Sequence, residues 1–316
     1  MGSEQETNKA IVLRNYEEIW NQGHLEVAEE LVDPSFHDHP PTRFFDVGRT
    51  GPDSLQEAVR HFREAFGDFH DMKQLVLAEE DRVAYLGTIS GTQDGDLFGF
   101  PPASEGNKMR VRGINFFRLA DGMIVERWGQ FDVLTMMAQL GLAPTPGGPP
   151  DLGEDPEPMA LNESTAEDRE RNKAVYRRMV DEVVNQGHFD VVDEIFDPSY
   201  HDHSSPPGMP GGLAGVKAIF GMFREAFPDV KFTIQSLVAD GDVVATLVEG
   251  SGTNTGPFMG MPPTNLPAKW RSVGFFRVTD KGQIVEHTGI PDMLGLLIQL
   301  GVIPPPPNVE SAKPHD

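Results

Sequence analysis

The chain contains one unit twice, and this constrains its folding more than any other feature of the sequence. Asn8-Lys9-Ala10 returns as Asn172-Lys173-Ala174, Asn21-Gln22-Gly23-His24 as Asn185-Gln186-Gly187-His188, and Phe36-His37-Asp38-His39 as Tyr200-His201-Asp202-His203, each 164 residues later. Phe62-Arg63-Glu64-Ala65-Phe66 matches Phe223 to Phe227 at 161, and Gln139-Leu140-Gly141 matches Gln299-Leu300-Gly301 at 160. Solenoid repeats rarely exceed about 50 residues, so a period this long is a whole domain copied in tandem. The expected division of the 316 residues is a first domain at 1–143 and a second at 169–303. Between them lies a linker at 144–168 rich in Pro, Gly and acid, and after them a disordered tail at 304–316 that opens on four prolines.

Charge and composition remove several functions. The net charge is −23 and it is shared evenly, with 13 basic and 24 acidic side chains in residues 1–150 and 13 and 25 in the rest. Such a surface repels phosphate backbones and anionic lipid, which argues against nucleic-acid and membrane partners. With no cysteine, disulfides, zinc–thiolate sites and thiol nucleophiles are excluded. No basic-then-apolar stretch stands at the N-terminus and no run approaches about 18 apolar residues, so a cytoplasmic protein is expected.

Within one copy, helices come first and strands later. Val12, Tyr16, Ile19 and Trp20 mark one face of a helix over 7–22 that stops at Gly23, and Leu25 to Val32 reads as a short second helix ended by Asp33-Pro34. Leu55, Ala58, Val59, Phe62 and Phe66 give the stripe of a third. Strands are expected at about 69–78, 83–90, 109–119 and 123–131, followed by a short helix from Val133 to Leu140. The fold class is therefore α+β: two tandem cone-shaped barrels, each a curved antiparallel sheet wrapped around helices and enclosing a pocket.

The order of these elements and their motifs resembles the SnoaL-like polyketide cyclase family, within the nuclear-transport-factor-like superfamily. The resemblance rests on the Asn-x-Gly turn (Asn21 to Gly23, Asn185 to Gly187), Asp-Pro-Ser-aromatic-x-x-His (Asp33 to His39, Asp197 to His203), and the Phe-Arg-Glu-Ala-Phe helix. Gly-x-Pro-Pro (Gly99 to Pro102, Gly260 to Pro263), Phe-Phe-Arg-x-x-Asp, and the closing segments Asp132 to Gly141 and Asp292 to Gly301 complete it. It implies cofactor-free acid/base chemistry, with Asp132 and Asp292 as the catalytic carboxylates. A carboxyl walled by apolar groups has its proton affinity raised enough to take and return a proton. Read from the residues alone, an Asp directly before Val133 or Met293 is equally a helix N-cap. The family's pocket histidine, three residues before the strand-end arginine, is replaced by Asn115 in copy one and Gly274 in copy two.

The resemblance also places His39 and His203 at the cavity wall as proton-transfer partners. On an extended segment His37 and His39 point the same way, as do His201 and His203, a two-ligand arrangement without further ligands at diagnostic spacing, so no metal is assigned. Tyr16, Trp20, Asn115, His37, His201, Trp128 and His287 complete the candidate substrate-binding set; Met179 is a further candidate for the cavity wall or the core. Lys269-Trp270-Arg271 and Arg110-Val111-Arg112 read as outer strand faces, and Arg118 and Arg277 as structural arginines. The leading reading is an enzyme without cofactor that cyclises, isomerises or dehydrates a bulky apolar carbonyl compound, in one or both cones. The alternatives are a non-catalytic small-molecule carrier using the same cavities and a scaffold with filled cones. The partners implied are a small-molecule substrate, pairing of the two domains with each other, and a possible homodimer.

Overall fold

A computed structural model describes residues 2–41, 45, 47–103, 106–143, 158–205 and 208–304. Nearly all of the expected tail and most of the expected linker lie outside these residues. The described chain divides into two compact units, the first ending at Ala160 and the second beginning at Leu161.

In domain 1, α1 (Gly2–Arg14) runs into one π-helical turn segment, Asn15–Asn21, and a 3₁₀ turn at Leu25–Val27 leads to α2 (Ala28–Leu31). Gly23, at φ +78°, makes the left-handed stop that the sequence announces. Then come β1 (Val32–His39), α3 (Pro52–Ala65), β2 (His70–Glu79), β3 (Arg82–Thr92), β4 (Lys108–Ala120), β5 (Met123–Phe131) and α4 (Val133–Gln139). Four strands form an antiparallel meander and the sheet order is β1-β5-β4-β3-β2. β1 joins its edge in parallel with β5, with a register shift between Val32 and His37. The sequence pattern hides this strand because Pro34 interrupts it; proline is tolerated only at an edge or a bulge, and β1 supplies both. The sheet has two edges and is open rather than a closed barrel.

Domain 2 repeats the plan: α5 (Ala166–Arg178), a π-helical segment Met179–Asn185, α6 (Val192–Ile195), β6 (Phe196–Asp202), α7 (Gly212–Ala226), β7 (Lys231–Asp240), β8 (Val243–Thr253), β9 (Pro267–Val278), β10 (Ile284–Pro291) and α8 (Met293–Gln299). Its sheet order is β6-β10-β9-β8-β7, again with a parallel edge pair. Thr165 and Asp168 start α5 with a reciprocal capping box. No helix among the described residues is long and apolar enough to cross a membrane.

The repeated motifs are the joints of this frame. Arg63 of the FREAF helix donates to the carbonyls of Trp20 and Asn21, and Arg224 donates to those of Val184 and Asn185, satisfying orphan acceptors at the end of each first helix. Asn21 brackets the backbone of Asp71 on β2 with bonds of 3.0 and 2.8 Å. Asn185 brackets Phe232 on β7 in the same way, at 3.1 and 2.7 Å. These pairs align the two copies, and they put Asp71 and Phe232 at one position of the fold.

Candidate active site

Each sheet curls over its helices around an interior lined by β-strand residues of alternating direction. In domain 2 this interior holds a cavity of about 240 Å³. Its walls are mainly apolar, among them Met179, Phe196, Phe220, Phe223, Phe258, Trp270 and Phe276, with the phenols of Tyr176 and Tyr200, and it carries an acid and a base in contact, Asp202 and His287. His287 Nδ1 lies 3.1 Å from Asp202 Oδ1, and the imidazole stacks on Phe276 with ring centroids 4.4 Å apart. Burial pushes Asp202 up, but the hydrogen bond and charge of His287, with a bond from the Ser204 backbone, outweigh it and hold the carboxyl below its usual range. An ionised carboxylate only accepts, so it holds a proton on Nδ1, and whenever the ring is neutral the lone pair is on Nε2.

Nε2 lies over two cavity-lining glycines. A Cβ at Gly289 would collide with it, and one at Gly274 would stand 3.1 Å away. The loss of a side chain at Gly274, which the sequence presents as the loss of a pocket histidine, is what makes room for a histidine from the neighbouring strand: Gly274 pairs with Gly289 and Phe276 with His287. The end of β6 is tied to β10 by His203 N to His287 O at 2.9 Å and Gly289 N to Ser204 Oγ at 2.7 Å, which fixes Asp202 beside the ring.

The same register in domain 1 keeps the aspartate, as Asp38, and replaces the groups around it. Phe117 pairs with Arg127 where Phe276 pairs with His287, and Asn115 pairs with Gly129 where Gly274 pairs with Gly289. Arg127, 7% exposed, grips Asp38 through two bonds of 2.9 and 2.8 Å and lies 5.5 Å over the Trp20 ring. Burial lowers the Arg127 pKa, but Asp38 outweighs burial and the guanidinium ends above its ordinary value. Asp71, Tyr16 and Tyr85 occupy the positions of Phe232, Val180 and Thr246. Tyr85 donates to Asp71 Oδ1 at 2.7 Å and stacks on Tyr16 at 3.7 Å. With Trp20 packed on Phe62 and Phe69, the cavity left in domain 1 is about 40 Å³.

Burial drives the Asp71 carboxyl up to about 7, against the opposing bond from Tyr85. A carboxyl whose folded pKa lies above its unfolded one stabilises fully only below the unfolded pKa, and that contribution is lost as pH rises toward the folded value. The wild-type chain is therefore expected to lose about 2 to 3 kcal/mol between about pH 5 and about pH 8 that the Asp71→Asn variant does not lose, measured by urea denaturation at each pH. Parallel profiles for the two proteins refute this assignment.

The candidates from sequence are distributed as follows. Tyr16, Trp20 and Asn115 line the domain 1 cavity, and His287 and Met179 line that of domain 2. Asp132 and Asp292 each accept a backbone N–H in the first turn of α4 and α8, from Thr135 at 3.0 Å and Gly295 at 2.8 Å, and neither lines its domain's cavity. Asp292 is buried between Pro291 and Met293, and burial raises its pKa to about 6 against the Gly295 bond and the Arg271 charge.

His39 and His203, expected at the cavity wall, lie on the opposite face. His39 bonds Glu126 at 3.0 Å and stacks on Trp128 at 5.1 Å, while His203 approaches Glu286 at 3.8 Å. His37 and His201 share that face and pack edge-on against His39 and His203. The reason is the two-residue period of a strand: with both histidines of His-x-His outward, the aspartate between them turns in. The sequence analysis passes over Asp38 and Asp202 for this reason, though the alternation that relates His37 to His39 also singles them out. Trp128 lies outward beneath Arg82, which sits 5.4 Å over its ring. Trp270 corrects the opposite way: expected on an outer face, it is 2% exposed and lines the domain 2 cavity. Val111 is likewise buried.

Two α+β units of this topology, each built around an interior cavity, define a class that comparison identifies. The model of the SnoaL-like polyketide cyclase family matches residues 10–140 and again 174–300, and the chain belongs to that family. No curated protein matches the chain. Among solved structures, TsrD from Streptomyces laurentii is 24% identical over 43% of this chain and 98% of its own, with a TM-score of 0.40. IdmH from Streptomyces antibioticus is 33% identical over 42% of this chain and 99% of its own, with a TM-score of 0.37. A SnoaL-like polyketide cyclase from Agrobacterium tumefaciens is 21% identical over 41% and 98%, with a TM-score of 0.36.

Proposed function

We propose that the chain is a cofactor-independent acid/base enzyme whose working site is the cavity of domain 2. The observation that carries this reading is the His287–Asp202 pair, set among apolar walls with the basic Nε2 turned over Gly274 and Gly289. In this role His287 Nε2 takes a proton from the carbon alpha to a substrate carbonyl, and the C–H electron pair moves into the enolate. Asp202 holds the ring in the required tautomer and stabilises the imidazolium that forms. Return of the proton to a different carbon completes an isomerisation; attack of the enolate on a second carbonyl of the substrate, whose oxygen takes the proton, completes a cyclisation; and expulsion of a β-hydroxyl, which leaves as water with that proton, completes a dehydration. The wide and mainly hydrocarbon wall suits a bulky apolar carbonyl compound of polyketide type. Asp132 and Asp292 act here as helix caps and not as the acid/base groups.

The test uses the full chain with 2-tetralone in deuterated buffer, following deuterium entry alpha to the carbonyl by NMR. Wild-type protein is expected to accelerate exchange saturably, and Asp202→Asn to lose at least about a hundredfold of that acceleration by freeing the imidazole to take the wrong tautomer. The apolar wall also supports a carrier. Binding of the ketone with no accelerated exchange retires the acid/base reading in favour of that one.

A further inference from the structure

The domain 1 interior is polar in a way that stability does not explain. Asn15 Nδ2 and Trp20 Nε1 are buried there without a hydrogen-bond partner, and the fully buried Tyr16 hydroxyl has only the Asn115 amide beside it. Each such atom costs about 1 to 3 kcal/mol, so a network kept for stability would be closed or replaced by hydrocarbon. Domain 2 has made that replacement on this segment, with Val180 and Val184 at the positions of Tyr16 and Trp20, and keeps one such atom on its cavity wall, Trp270 Nε1. All three side chains lie on the π-helical segment Asn15–Asn21, a backbone irregularity that recurs at functional sites. Tyr16 and Trp20 both line the small cavity, beside Asn115 and Arg127.

We propose that this cavity is a binding site of its own, for a small neutral molecule that presents a carbonyl oxygen. The ligand class follows from what is unpaired and what is not. On the cavity wall the Trp20 indole N–H is an unused donor, the Tyr16 hydroxyl accepts from the Asn115 amide and keeps its own proton to give, and Arg127 spends only part of its donor set on Asp38. One oxygen with two lone pairs satisfies the first two. The charges are already matched: Asp38 neutralises Arg127, so an anion would gain no free cation and would meet the Asp71 carboxyl, while a cation would meet Arg127. The size follows from the volume, about 40 Å³ against the roughly 10 to 15 Å³ that a single water requires, which admits a molecule of a few heavy atoms. Gly129, on the cavity wall opposite Asn115, keeps that space open, because a Cβ there would stand 3.0 Å from Asn115 Oδ1. The site is separate from the domain 2 chemistry and stands whether or not that chemistry is correct.

The chain has three tryptophans, and their indole N–H signals are assigned by Trp20→Phe and Trp128→Phe variants of the full-length protein. Titration of the wild type with acetone or acetamide is expected to move the Trp20 signal saturably and leave that of Trp128 in place, with acetate of similar size producing no such shift. Tyr16→Phe removes one donor and is expected to weaken the ketone at least about tenfold. A Trp20 signal unmoved by either neutral probe, one that follows acetate as readily, or a Tyr16→Phe protein that binds as tightly as the wild type overturns the proposal. In the first case, ordered water is what the cavity holds.

Discussion

Replacing His287 by glutamine is expected to remove the deuterium exchange into 2-tetralone by about 10² to 10⁴-fold, the range that a positioned general base supplies. Glutamine keeps a polar side chain of similar length over Gly274 and Gly289, so the cavity stays open, but it has no lone pair basic enough to take a carbon-bound proton. Ketone binding is expected to change little, which separates loss of chemistry from loss of the site. Asp132→Asn is the control: it retains an N-cap for α4 in a domain without the pair, and exchange should match the wild type. A His287→Gln protein as active as the wild type, or an Asp132→Asn protein as impaired as His287→Gln, would sink the assignment.

The second large effect is on stability. Arg127→Met leaves Asp38, 10% exposed, as an unpaired charge, and is expected to cost about 3 to 5 kcal/mol in urea denaturation. Adding Asp38→Leu to that variant is expected to recover most of the loss, because a buried pair removed whole takes its desolvation penalty with it. The outcome that contradicts this is a double variant no more stable than Arg127→Met. Domain 2 offers the comparison: at the same register His287 and Asp202, 21% and 15% exposed, make a looser pair facing a cavity rather than a closed clamp.

The frame was legible in the sequence because its joints are local or repeated. Gly23, the FREAF stripe and the cap at Asp132 each announce an element through nearby residues, and the tandem copy shows them a second time. β1 was not legible, since Pro34 breaks its pattern and its partner β5 lies far along the chain. The site was legible only in its parts. His287 and Asp202 stand 85 residues apart and meet through the parallel pairing of β6 and β10, a contact that no local pattern encodes. The resemblance to the cyclases drew attention to Asp132 and Asp292 and to the outer histidines, while the aspartate between each pair of histidines turns inward, Asp38 to clamp Arg127 and Asp202 to line the domain 2 cavity. Asp71 carried no signal at all, because its counterpart is Phe232 and a difference between copies is silent when repeats are being matched.

The joints that recur, Asn21 with Arg63 and Asn185 with Arg224, are the mortar of each cone, and the residues that diverge are its furniture. One inherited shell thus houses two unlike rooms, one oily and one wet. Resemblance between the halves of such a molecule measures kinship of masonry, and says little about what either chamber was furnished to receive.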